Sequence, residues 1–226
     1  MRVSHFLRLL SSLGSGLLLL AAGWSKAAPA ANLAEQPISE ARLAAFHTQD
    51  LLVFRPLATP IRVPGADFVS AQGPVRMPAM FRDHWTLLYI GYTFCPDICP
   101  TELTTLSGLL PALKKDLPGA NWQVVFLSVD PDRDRPKRLA EYAHYFDPDF
   151  HAITGTRAMI DRVTRAIKAG YRIEPHAPGS MTYEVDHDTA FRLISPDGKM
   201  VAILPPPHEI SPMTQAIVRF FKEVVQ

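Results

Sequence analysis

From Thr86 onward the hydrophobic positions alternate between two spacings. Leu87-Leu88-Tyr89-Ile90 is an unbroken apolar run, which predicts a strand buried on both faces, and Gly91-Tyr92-Thr93-Phe94-Cys95-Pro96 ends it. Leu103, Leu106, Leu110, Leu113 and Leu117 then recur at helical spacing; Gly108 and Pro111 are expected to bend this helix and Pro118-Gly119 to stop it. Trp122 to Val129 reads as a second buried strand. Pro136 with Leu139, Tyr142, Ala143 and Phe146 reads as a second helix. A third is expected between Thr156, a candidate N-cap, and Gly170, a candidate stop, enclosing Met159, Ile160, Val163 and Ile167.

Glu174 to Tyr183 carries no regular period and predicts an irregular loop. Ala190–Ile194 and Met200–Leu204 are strand-like runs joined by Ser195-Pro196-Asp197-Gly198-Lys199, a hairpin signal. Met213, Ile217, Phe220, Phe221 and Val224 predict a closing helix. Alternating strands and helices imply parallel pairing, and with the terminal hairpin and helix they describe an α/β, thioredoxin-like sandwich with a mixed central sheet and flanking helices.

The N-terminal third follows other rules. Arg2 and Arg8 precede an apolar stretch from Leu9 to Trp24 and the small-residue sequence Lys26-Ala27-Ala28-Pro29-Ala30, the layout of a secretory signal. The stretch is interrupted by serines and glycines and falls short of the roughly 20 apolar residues that span a bilayer comfortably. Residues 1–30 are therefore expected to be a signal peptide, or an N-terminal membrane anchor through 9–24. Residues 31–60, rich in proline, predict a linker and irregular region, passing into an irregular N-terminal strand region that runs to about 80, and 61–226 is expected to be the folded domain. An extracytoplasmic location follows, periplasmic or equivalent.

Composition narrows the function. The chain has 226 residues, 47% hydrophobic and 20% charged, enough for one domain with a sizeable core. Its 23 basic and 22 acidic residues become 20 and 22 once the three basic residues of 1–30 are removed, leaving no electrostatic footprint for nucleic acid. Only two cysteines occur, too few to staple a scaffold.

Those cysteines, Cys95 and Cys99, lie where the first strong strand passes into a helix, with Pro100 as an early helical residue and Glu102 in the first turn. Unpaired N–H groups and the helix dipole there favour a thiolate, so at least one cysteine should be reactive. Residues four apart on a helical turn have Cβ atoms about 5–6 Å apart, against about 3.5–4.5 Å in a disulfide. A modest adjustment closes the bond, and two thiolates can equally share one metal. An inert bridge over so short a loop would stabilise least. Thiol exchange is the stronger rival, although its familiar spacing is Cys-x-x-Cys.

Two cysteines do not complete a structural zinc site, whereas soft thiolates favour Cu(I). One imidazole would complete a trigonal Cys2His set able to hold Cu(II) as well. His187 is the chosen third ligand, because Val185-Asp186-His187-Asp188-Thr189 enters the first strand of the hairpin, which in a thioredoxin-like fold passes beside the cysteine loop. Asp186 and Asp188 could orient its ring or be solvated loop residues. Met77, Met80 and Met181 are soft as well but read as packing residues.

Gly91-Tyr-Thr-Phe-Cys-Pro-Asp-Ile-Cys-Pro-Thr-Glu-Leu103 closely resembles the signature of the Sco/SenC copper chaperones. Two further blocks agree in order: Val125-Phe-Leu-Ser-Val-Asp-Pro-Asp-Arg-Asp-Arg-Pro136 and Asp186-His-Asp-Thr-Ala-Phe-Arg-Leu-Ile-Ser-Pro-Asp-Gly198. The resemblance runs from about Asp67 to the C-terminus. It implies a thioredoxin-like fold, Cys95, Cys99 and His187 as copper ligands, and the copper centre of a respiratory oxidase, usually CuA, as recipient.

On that reading the chain is primarily a metallochaperone with a redox-active dithiol. It would need a thioredoxin-like reductant and could receive copper from another chaperone. A thiol-disulfide reductase that keeps the oxidase cysteines reduced is the competing class. Asp130 and Asp132 match a family feature linked with docking or site electrostatics, and an Asp-Pro turn capping the next helix explains them equally. The proline-rich region before Trp85 departs from the family pattern. So does Asp188, where a small hydroxyl residue often follows the histidine.

Overall fold

A computed structural model describes residues 38–46 and 52–225, all within one compact unit, Ala31–Gln226. The expected export segment, 1–30, lies outside the described residues. In chain order the elements are helix α1 (Glu40–Ala45), strands β1 (Arg55–Arg62), β2 (Ala66–Ser70) and β3 (Gly73–Met77), a 3-10 turn (Ala79–Phe81), β4 (Trp85–Gly91) and α2 (Ile98–Asp116). They continue with β5 (Trp122–Ser128), α3 (Pro136–Phe146), β6 (His151–Ile153), α4 (Arg157–Ala166), β7 (Tyr171–Ile173) and β8 (Val185–His187). The chain then forms β9 (Phe191–Ile194), β10 (Lys199–Leu204) and α5 (Ile210–Phe220), which runs into a wider π-type turn, Phe221–Val225.

The main sheet has the order β1-β10-β9-β4-β5-β6. β4, β5 and β6 are parallel, while β9, β10 and β1 are antiparallel additions, so the sheet is mixed as expected of a thioredoxin-like sandwich. Every residue of β4 and β5 is buried, which is what their unbroken apolar runs require between two helical layers. Trp85, Trp122, Phe220 and Phe221 form one aromatic cluster beneath β4, each such side chain contributing about 1.5–3 kcal/mol by burial.

The hairpin closes where its punctuation indicates: the Ser195 N–H donates to the Lys199 carbonyl at 2.8 Å, and Gly198 takes φ +77, a left-handed conformation glycine supplies without strain. Gly108 has a packing reason, since a Cβ there would lie 2.5 Å from Ile210 of α5. Thr156 caps α4 through the Met159 N–H. That helix ends before Gly170, because Lys168 itself turns left-handed at φ 54.

Two expectations need correction. The region 31–60, expected to be a linker passing into irregular strand, contains a helix, α1, and most of the strand β1. β1 is an edge strand with a register irregularity between Pro56 and Ile61, and an edge tolerates prolines that a central strand would not. Val185–His187 does not begin the C-terminal hairpin. It pairs with β7 in a separate two-stranded sheet, with Tyr171 opposite His187, and the chain turns into β9 only afterwards.

Candidate metal centre

β4 delivers the chain to the site through Gly91. A Cβ at this position would fall 2.7 Å from the Cys99 sulfur and 2.8 Å from the Phe126 ring, so only glycine leaves room for the thiol behind the strand. Thr93 is fixed by Asp134, which accepts from its N–H at 3.0 Å and its hydroxyl at 2.5 Å, and from the Ser128 hydroxyl at 2.6 Å. Burial pushes the Asp134 carboxyl up and these donors oppose it. The loop is thus bolted two residues before Cys95 by an acid that sequence reasoning did not single out. Its signal was a carboxylate inside a block otherwise read as a turn.

Cys95 is half-buried just ahead of α2 and Cys99 is buried on the helix's first turn; both thiols are free. The Cys99 N–H donates to the Cys95 sulfur at 3.4 Å. A hydrogen bond from the Cys99 thiol, with the N–H groups of Cys99 and Asp97 adding to it, holds the Cys95 thiol down to about 3. The same contact and burial push Cys99 far up. The pair is therefore one thiolate and one thiol. Cys99 lies at the helix N-terminus, and the backbone N–H groups there act on the Cys95 sulfur.

His187 completes the cluster: its Nε2 lies 3.2 Å from the Cys99 sulfur, and the three ligand atoms all fall within 4.8 Å of one another. Its Nδ1 faces the Asp188 carbonyl at 3.0 Å, and since a carbonyl only accepts, Nδ1 carries the proton and Nε2 turns its lone pair to the sulfurs. Tyr89 and Tyr92 wall the imidazole edge-on. The Tyr89 hydroxyl is buried without a hydrogen-bonded oxygen or nitrogen, and burial and the Cys99 sulfur hold its phenol well above the usual range.

Neither flanking carboxylate orients the ring, and of the two expectations the solvated loop residue describes the exposed Asp186. Asp186 points to Arg172 at 2.7 Å. Asp188 binds the buried Arg192 at 2.6 Å and the Ala190 N–H at 2.8 Å, so its backbone orients His187 while its side chain secures the turn into β9. Arg192 also donates to the Ala190 and Lys168 carbonyls, at 2.6 and 2.7 Å. This anchor was hidden in an apolar run.

Asp130 and Asp132 also separate. Asp130 is fully buried, pairs with Arg133 and accepts from the Tyr183 hydroxyl at 2.7 Å. Arg133 stacks 3.5 Å from the Tyr183 ring and 4.8 Å from Phe94, and donates to the Tyr183 carbonyl, tying the irregular loop to the cysteine loop. Asp132 is exposed and pairs with Arg157. Neither caps α3, whose N-cap is Arg135.

Met77 is a core residue, Met80 packs against the core and Met181 is exposed. Among the other histidines, His208 is held by Glu102 at 2.6 Å, His176 stacks on Tyr183, and His84, His144 and His151 share a cavity away from the cysteines.

The asymmetry of the thiols sets a pH test. Since Cys95 ionises far below an ordinary thiol, its thiolate persists as pH falls and is lost only on approach to about 3. Iodoacetamide labelling of Cys95 in the metal-free protein should change less than about threefold between about pH 5.5 and 8, where a thiol of pKa about 8.5 would change by more than a hundredfold. A profile rising with that ordinary slope would refute the thiolate assignment.

Fold and site together define a thioredoxin-like protein that gathers two thiols and an imidazole of metal-ligating type at the end of its central strand. The chain belongs to the SCO1/SenC family, whose model matches residues 65–222. It is 39% identical over 127 residues to the mitochondrial SCO2 homolog of Bos taurus, covering 56% of this chain and 47% of that protein. The chain spans about half the length of the curated relatives it matches. Copper-bound ScoI of Arabidopsis thaliana superposes with TM-score 0.64 at 30% identity, over 70% of this chain and 97% of that one. Copper-bound yeast Sco1 gives 0.66 at 27%, over 72% and 90%. No helix among the described residues is long and apolar enough to cross a membrane.

Proposed function

We propose that this chain is an exported copper metallochaperone that binds copper through Cys95, Cys99 and His187 and passes it to a copper centre of a respiratory oxidase, CuA in the first instance. The observation that carries this reading is the convergence of the two sulfurs and Nε2 within 4.8 Å, in a chain whose structural relatives include copper-bound Sco proteins. Two thiolates suit Cu(I), and the imidazole adds the harder donor that Cu(II) prefers. Copper is here cargo: Cys95, already ionised, takes it up, Cys99 gives up its proton to become the second sulfur donor, and the fixed Nε2 closes the set. Release would proceed by exchange of these ligands for those of the acceptor.

Oxidation of the two thiols to a disulfide removes both sulfur donors, so an oxidising compartment demands a reductant of thioredoxin type. Another copper chaperone could act as donor. The location proposed is the periplasm or its equivalent, with residues 9–24 as signal or anchor.

A second reading rests on a specific observation: a low-pKa, half-buried Cys95 beside a protonated, buried Cys99 is also the asymmetry of an attacking and a resolving thiol. Here the chain would reduce the oxidase's own cysteines. His187→Ala separates the two. The chaperone reading predicts a fall in Cu(II) affinity of at least about 10- to 100-fold, the range that follows loss of even an outer-shell partner, measured by chelator competition. The reductase reading predicts unchanged copper affinity with disulfide exchange intact.

A further inference from the structure

A groove of about 300 Å³ is lined by Arg62, Arg76 and Arg82, with Pro78 and Asp197 among its walls. It lies at the end of the sheet opposite the cysteines. Arg62 ends β1 opposite Lys199 at the start of β10, and the hairpin's Ile194 pairs with Thr86 at the beginning of β4, whereas Cys95 follows the far end of that strand. The three arginines come from three separate places: the end of β1, the next-to-last residue of β3 and the residue after the 3-10 turn.

The groove wall is built. Gly198 approaches Pro78 so closely that a Cβ would meet its ring at 2.6 Å, which seats the hairpin turn against the segment leading to Arg82. The charges facing it are only partly balanced from within. No hydrogen bond or ion pair holds the Arg62 or Arg82 guanidinium among the described residues. Arg76 reaches only the exposed Asp67, at 3.6 Å, a contact of the kind that contributes little. Asp197, the one acid lining the groove, accepts from the Ser195 hydroxyl at 2.5 Å and pairs with Lys199 at 3.0 Å, and it acts on Arg62 only through space, with no ion-pair contact. With 23 basic and 22 acidic residues the chain is close to neutral as a whole, so this local excess of cations is not a by-product of a basic surface.

Guanidiniums that line one groove with too few acceptors are mutually repulsive, and they suit a multiply charged oxyanion, which each can bind with two parallel N–H donors. We propose that this groove is a binding site for a phosphate group, placed so that occupancy leaves the copper ligands free. The chemistry is shared by a soluble phosphate compound and by the headgroup of an anionic phospholipid.

The test uses the full chain in low-salt buffer. One arm titrates it calorimetrically with inorganic pyrophosphate. The other measures co-sedimentation with vesicles of phosphatidylcholine alone or with added phosphatidylglycerol. Either saturable pyrophosphate binding or a preference for the phosphatidylglycerol vesicles supports the site, the first pointing to a soluble ligand and the second to a membrane surface. In both cases binding should fall by more than about tenfold in R62Q/R76Q/R82Q, since charge-assisted contacts are lost, with copper stoichiometry unchanged. Because these residues are exposed, the variant is expected to fold, and its circular dichroism serves as the check. Absence of both kinds of binding, or equal binding by the triple variant, would overturn the proposal without touching the copper reading.

Discussion

Copper uptake by the reduced protein should drop from about one ion per chain to almost none when Cys95 and Cys99 are both replaced by serine. Serine hydroxyls are hard, neutral donors near neutral pH and cannot substitute for thiolates toward Cu(I). The remaining His187 is a single imidazole. The thiolate-to-Cu(II) absorption should vanish in the same variant. Folding should survive, because Cys95 is at the rim, serine is smaller than cysteine at the buried Cys99 site, and its hydroxyl can still hydrogen-bond His187 Nε2 in place of the thiol. Copper retained at full stoichiometry in this variant would place the metal elsewhere.

Asp130→Ala is expected to produce the largest loss of stability among substitutions away from the ligands, about 3–5 kcal/mol, the usual result of leaving one member of a buried ion pair without its partner. Both side chains are essentially inaccessible, and the Asp130 carboxylate also accepts from Tyr183. The orphaned Arg133 would keep its two carbonyl acceptors, Met181 and Tyr183, but lose its counter-charge. Since Arg133 also packs on Phe94 beside Cys95, copper affinity should fall along with the midpoint of thermal unfolding. Asp132→Ala, which removes an exposed pair with Arg157, should shift stability by less than about 1 kcal/mol. Thermal and urea unfolding of both variants checks the contrast; equal effects would mean that burial of the pair does not matter.

What could be read in advance follows from the range of the interactions. β4 and β5 announced themselves because strands buried on both faces must be apolar throughout, and the hairpin because its turn needs Gly198. The cysteine pair was legible because its four-residue spacing makes its chemistry local. His187 is 88 positions from Cys99, and only an assumed fold could bring the two together.

The supports of the site were not legible. Asp134, Arg133 and Arg192 are charged residues that the fold buries, and a charge in a sequence looks solvated until its partners are placed around it. β1 was legible only as irregular strand, for the opposite reason: Pro56 and Pro60 mark a break in a central strand but are compatible with an edge. β7 and β8 are three residues each, too short for any period to show.

The central claim is that Cys95, Cys99 and His187 together hold copper. The most direct measurement is copper K-edge X-ray absorption on the reduced, copper-loaded protein beside its His187→Ala variant. The account predicts two sulfur neighbours and one imidazole nitrogen in the Cu(II) form, with the imidazole contribution lost in the variant and the sulfur neighbours kept. A spectrum made only of nitrogen and oxygen neighbours, or one identical in the two proteins, would contradict it.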